Sequence, residues 1–91
     1  MLAGHFPGHP IVPGAWLLSW VIADATRWLT LAGDTRTITG VKRVKFQRPL
    51  GPSETFECEL STTSDTVRFT LRCAAGVIAT GILQLQPQAD T

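Results

Sequence analysis

Residues 14–32, GAWLLSWVIADATRWLTLA, limit what this chain can fold into more than any other stretch, because they are long, apolar and set between Pro13 and Gly33. Proline is tolerated ahead of a first helical turn, where its missing N–H has no partner to lose, and glycine readily takes the left-handed conformation that closes a helix. One helix is therefore expected over 14–32. At 100° per residue Leu17, Leu18, Val21, Ile22, Ala25, Trp28 and Leu29 gather on one broad face, which is the core face. The opposite side carries Trp16, Ser19, Trp20, Ala23, Asp24, Thr26 and Arg27. Two tryptophans one turn apart are too much apolar surface to leave in water. That side meets a partner subunit or a ligand, or lies beneath the chain's own loops.

Beyond the helix the pattern changes to that of strands, within 36–86. TRTITGVKRVKFQ changes the phase of its apolar residues near Gly40, which indicates a bulge. RPLGPSE is a turn. ETFECEL and VRFTLRC alternate apolar with charged or polar residues, the pattern of half-buried antiparallel strands, and a fourth strand is expected over Val77–Gln86. A single α+β domain over 1–91 results, with a long apolar helix against an antiparallel meander.

Composition narrows the function. With 44% hydrophobic residues in 91 the chain can build a core, but a domain this small buries only about 60–65% of its unfolded surface, and association would relieve that limit. A formal net charge of +1 supplies no field to draw nucleic acid or an anionic membrane. No apolar run reaches the roughly 18 residues that span a bilayer, and the start lacks a signal-peptide pattern, so the expected location is the cytoplasm. Cys58 and Cys73 have no metal-type spacing and read as reduced core thiols.

Residues 1–13 are the candidate active-site loop. GHFPGHPIVPG fixes its backbone with three prolines and delivers the first free N–H groups of the helix, at Gly14, where an anionic oxygen is favoured. His5 precedes that point by nine residues. An imidazole beside N–H donors suits proton abstraction next to a carbonyl, the base taking the α-proton while the donors hold the enolate oxygen. The same composition also serves a loop that does nothing but lead rigidly into a buried helix. His9 comes four residues after His5, but Pro7 and Pro10 oppose the helix that would align them and no third ligand is evident, so no metal or cofactor is expected.

HFPGHPIVPG ahead of an apolar helix closely resembles the signature of the 3-hydroxyacyl-ACP dehydratases of fatty acid synthesis and their relatives, and GVKRVKFQRPLGPSE resembles the family's next strand and turn. The resemblance covers nearly the whole chain. It implies the hot-dog fold, a helix wrapped by a curved antiparallel sheet, and an active site at a dimer interface that admits an acyl thioester on carrier protein or coenzyme A. By position it makes His5 the base and Gly14 the carbonyl-polarising donor, with Phe6, Pro13, Trp16 and Trp20 as candidate substrate contacts. Two departures stand out. Where the family carries a carboxylate on the helix, this chain has Ser19, which is no substitute acid. The family also carries a pair of strands ahead of the motif, whereas His5 here is four residues from Met1, so this is either a minimal hot-dog domain or a late start.

Three functions fit that pattern: a dehydratase-like lyase using His5, Gly14 and Ser19; a hot-dog thioesterase; and a non-catalytic acyl- or carrier-binding subunit that pairs with an acid-bearing paralogue. A homodimer or higher oligomer is expected in the first case. Lys42, Arg43, Lys45 and Arg48 hold half of the chain's basic residues and are the candidate carrier-binding group. Alternatively they pair with Glu54, Glu57 and Glu59 on a neighbouring strand.

Overall fold

The computed structural model describes residues 13–51 and 53–87. Helix α1 spans Gly14–Leu31, and after it come β1 (Thr37–Phe46), β2 (Glu57–Thr62), β3 (Thr66–Cys73) and β4 (Gly76–Gln86). The Pro13 carbonyl opens α1 by accepting from the N–H groups of Trp16 and Leu17 at 3.1 and 3.2 Å. Gly33, at φ +78°, closes it. The Gly33 N–H donates to the Thr30 carbonyl and the Asp34 N–H to the Leu29 carbonyl, so two orphan acceptors of the last turn are satisfied by one glycine-dependent motif.

Leu17, Val21, Ala25 and Leu29, spaced by four, are the buried stripe of α1, and Leu18, Ile22 and Trp28 pack against it. The sheet supplies the rest of the core from alternate positions: Val67, Phe69 and Leu71 on β3, directly opposite Leu83, Gly81 and Ala79 on β4. Arg68, Thr70 and Arg72 point to the other face, as period-two alternation requires.

Strand order corrects the expected meander. It is β1-β4-β3-β2, all antiparallel, so the last strand lies between the first and the third. Only β2, β3 and β4 succeed one another as hairpins. The segment 47–56 is too long and too buried for a hairpin turn: Leu50 and Phe56 are almost wholly enclosed, and the N–H groups of Gln47 and Arg48 both donate to the Ile78 carbonyl. Its apolar side chains pull it along the first half of α1, and it delivers β2 to the far edge. Beside β4, β1 sets large side chains against small ones, Val44 opposite Gly81 and Phe46 opposite Ala79. The expected irregularity near Gly40 is present as two register shifts, Ile38/Gly40 and Val41/Arg43.

Arg36 ties the helix end to the opposite side of the sheet. Its guanidinium donates to both carboxylate oxygens of Asp34 and, through Nη1, to the Ser64 carbonyl at 2.6 Å in the β2–β3 turn. Those bonds hold the Asp34 carboxyl down at about 2. Cys58 and Cys73 are free and half-buried. Burial, with the Asp24 and Glu59 carboxylates adding to it, pushes the Cys58 thiol up to about 12.

Candidate active site

The site is built on the first turn of α1. Gly14 is its first residue, no acidic side chain occupies that turn, and among the described residues no side chain caps it. Among the described residues neither the Gly14 nor the Ala15 N–H has an acceptor. These two donors sit at the positive end of the helix dipole. A hollow of about 400 Å³ opens beside Gly14, lined also by Leu17, Phe46, Gln47, Pro49 and Leu50. Arg48 also borders it, but its Nη1 donates to the Ala75 carbonyl at 2.7 Å, which commits the guanidinium to the β3–β4 turn.

Phe46 is the residue that the sequence pattern did not single out. Its ring stands on Gly14, with Cζ 3.0 Å from where a Cβ at residue 14 would lie. The signal was present in the register of β1: Val44 and Phe46 share parity and face the helix, and Phe46 is the last residue before the chain crosses the helix start.

The other sequence candidates separate. His5 and Phe6, like the rest of residues 1–12, lie outside the described residues. Pro13 is exposed and forms the helix N-cap. Trp16 is half-buried against the core. Trp20 packs edge-on against Phe56, centroids 4.8 Å apart at 77°, so much of the surface that looked too apolar for water is covered by the chain's own 47–56 connection. Asp24 accepts from Arg27 at 3.1 Å along the helix. Ser19 is exposed. Five residues from Gly14, it is displaced about 7.5 Å along the axis and roughly 140° around it.

The basic group divides as well. Arg43 and Lys45 face outward opposite Ile82 and Thr80, Lys42 is the extra residue of a bulge, and Arg48 is held at the turn. The alternative that these four pair with glutamates on a neighbouring strand is incorrect, because β1 adjoins β4, which has no acidic residue, while β2 lies at the opposite edge. Glu59 pairs instead with Arg72 on β3, and the Glu54 carboxylate accepts from the Gly51 N–H. On the outward face Arg43 and Arg68 flank Ile82 at a second hollow of about 580 Å³. Among the described residues no group of three or more His, Cys, Asp or Glu side chains could hold a metal ion, and no helix is long and apolar enough to cross a membrane.

Against this geometry the similarities to known proteins are decisive for ancestry. The sequence model of the ApeI-like family, described as ApeI dehydratase, matches residues 1–82. The chain belongs to the ApeI-like dehydratase family. It is 34% identical over 67 residues to a 3-hydroxyacyl-[acyl-carrier-protein] dehydratase FabZ of Syntrophotalea carbinolica, covering 67% of this chain and 45% of that one. To the FabZ of Latilactobacillus sakei it is 39% identical over 62 residues, 64% of this chain and 44% of the relative. The chain thus spans less than half the length of these curated relatives. An uncharacterised protein from Erwinia carotovora subsp. atroseptica, solved by crystallography, superposes with a TM-score of 0.72 at 29% identity, over 92% of this chain and 70% of that one. The helix against a four-stranded antiparallel sheet is the hot-dog fold, as the resemblance implied.

Proposed function

We propose that this chain acts on 3-hydroxyacyl thioesters, carried by acyl carrier protein or coenzyme A, in the dehydration step of acyl-chain synthesis. The observation that carries the reading is the family match through the HFPGHPIVPG motif together with a hollow lined by Gly14 at the start of α1, where the Gly14 and Ala15 N–H groups have no acceptor among the described residues. The thioester carbonyl accepts from the Gly14 N–H. His5 removes the α-proton and keeps it as imidazolium, the electron pair forms the Cα=Cβ bond, and the β-hydroxyl leaves as water after taking up a proton from solvent. Negative charge developing on the carbonyl oxygen is what the helix end stabilises most.

The leaving hydroxyl calls for a proton donor. Losing a positioned acid costs on the order of 10²–10⁴ in rate, and Ser19 stands where the resemblance of the motif implies that acid. Ser19 also lies around the helix from Gly14, which supports a site completed by a second subunit. The exposed edge of β1, where Val41 and Phe46 are 39% and 46% exposed, is a suitable surface for a second copy. In this reading Arg43 and Lys45, outward on that strand, meet an acidic carrier protein. Ser19 favours a second reading, in which the chain binds acyl groups and completes the site of an acid-bearing paralogue.

Purified protein incubated with 3-hydroxyacyl and trans-2-enoyl thioesters separates these alternatives. Interconversion of the two supports the lyase. Thiol release alone indicates a thioesterase, and binding without turnover indicates the subunit reading.

A further inference from the structure

Phe46 faces the helix side of the sheet, opposite Ala79, a position whose neighbours on β3 and β4 are almost wholly buried. Phe46 itself is 46% exposed. It is held there by the bare α-carbon of Gly14: ring atoms Cζ, Cε2 and Cε1 lie 3.0, 3.3 and 3.4 Å from the place a Cβ would take. The half-exposed ring is therefore one wall of the hollow that Gly14 lines, with Leu17 and Leu50 among the others.

We infer that Phe46 sets specificity at the α-carbon of the acyl thioester, admitting an unbranched α-methylene and excluding an α-methyl branch. The inference rests on the function proposed above. A carbonyl held at Gly14 has its α-carbon one bond away, so a ring packed on Gly14 meets that carbon's substituents. The far end of the acyl chain is many bonds distant and does not reach it. An unbranched methylene lies against the ring, whereas a methyl group there needs space that the ring fills.

The test compares wild type, Phe46→Leu and Phe46→Ala on 3-hydroxyacyl thioesters with and without a 2-methyl group, at several chain lengths. Calorimetric titration with saturated acyl-pantetheine and its 2-methyl counterpart runs in parallel. The ratio of kcat/KM for branched over unbranched substrate should rise about tenfold or more in Phe46→Ala, the scale of one methyl group in an apolar pocket, and by less in Phe46→Leu, with chain-length preference unchanged. An unmoved ratio, or a shift in chain-length preference instead, overturns the assignment. Should wild type bind the saturated thioesters without turning any substrate over, the dehydratase reading fails and the same ratio in binding constants decides Phe46. If wild type binds neither saturated thioester and turns over neither substrate, both are overturned. If thermal unfolding shows that Phe46→Ala does not fold, Phe46→Leu alone decides the ratio.

Discussion

Gly81→Ala should be among the costliest single-methyl additions this fold can receive. Gly81 sits on β4 between Val44 of β1 and Phe69 of β3. A Cβ there would collide with the Phe69 ring and fall 2.7 Å from the Arg43 carbonyl oxygen. The ring belongs to a residue only 2% exposed and enclosed by the core, so it cannot swing into solvent. The carbonyl is backbone, so relieving it means moving β1. Overpacking a filled core costs about 1–3 kcal/mol, and the backbone clash places this site toward the upper end. In a domain of this size each kcal/mol lowers Tm by roughly 4–8 °C, so a fall of about 10–20 °C is expected. Unfolding of wild type, Gly81→Ala, Phe69→Leu and the double variant forms a cycle that isolates the ring's share. The glycine substitution should cost markedly less in the Phe69→Leu background, with a remainder from the Arg43 carbonyl. A Gly81→Ala variant within about 0.5 kcal/mol of wild type, or a penalty undiminished by Phe69→Leu, would refute the reasoning.

His5→Ala should abolish thioester chemistry while leaving the circular dichroism spectrum and Tm near wild type; persisting turnover would remove His5 as the base. Ser19→Glu should raise hydration or dehydration by up to about 10²–10⁴ if the rest of the site is that of a dehydratase, whereas retained acyl binding with no gain would favour the binding-subunit reading. Asp34→Asn should destabilise at neutral pH, as denaturant titration would show. Because the Asp34 carboxyl is lowered from 3.8 to about 2 in the folded state, its contribution is full above the unfolded value and fades as pH falls through the folded one, so wild type and variant should converge near pH 2. Cys58, with its thiol pushed up to about 12, should resist iodoacetamide at pH 8 in the native protein and react once denaturant is added, read by mass spectrometry.

The helix and most strand positions were legible because each is encoded locally: the spacing of Leu17, Val21, Ala25 and Leu29 marks a buried stripe, and Val67, Phe69 and Leu71 mark a buried sheet face. Strand order was not legible. Which edge β1 joins depends on Val44 and Phe46 fitting over Gly81 and Ala79, residues far along the chain, and no local pattern announces that fit. The site was half legible for the same reason. Gly14 is marked by the Pro-Gly boundary of the helix, whereas Phe46 becomes its neighbour only because the 47–56 connection turns across the helix start. The arrangement of the basic run was not legible because adjacency in sequence is not adjacency in space: alternation, a bulge and a turn send Lys42, Arg43, Lys45 and Arg48 to different surroundings.

The position of β4 between β1 and β3 also orders events during synthesis. Thr37 waits for Gln86 and Phe46 for Ala79, so β1 leaves the ribosome well before β4, the strand it joins among the described residues. The β2–β3 hairpin can close early, but β1 cannot join it until β4 slides into the gap between them, a long-range closure of the kind that slows folding. Until then Val41, Val44 and Phe46 offer an apolar edge to any other nascent chain. A nonsense change in the last third of β4 would therefore release a protein whose first strand has lost much of the partner it pairs with.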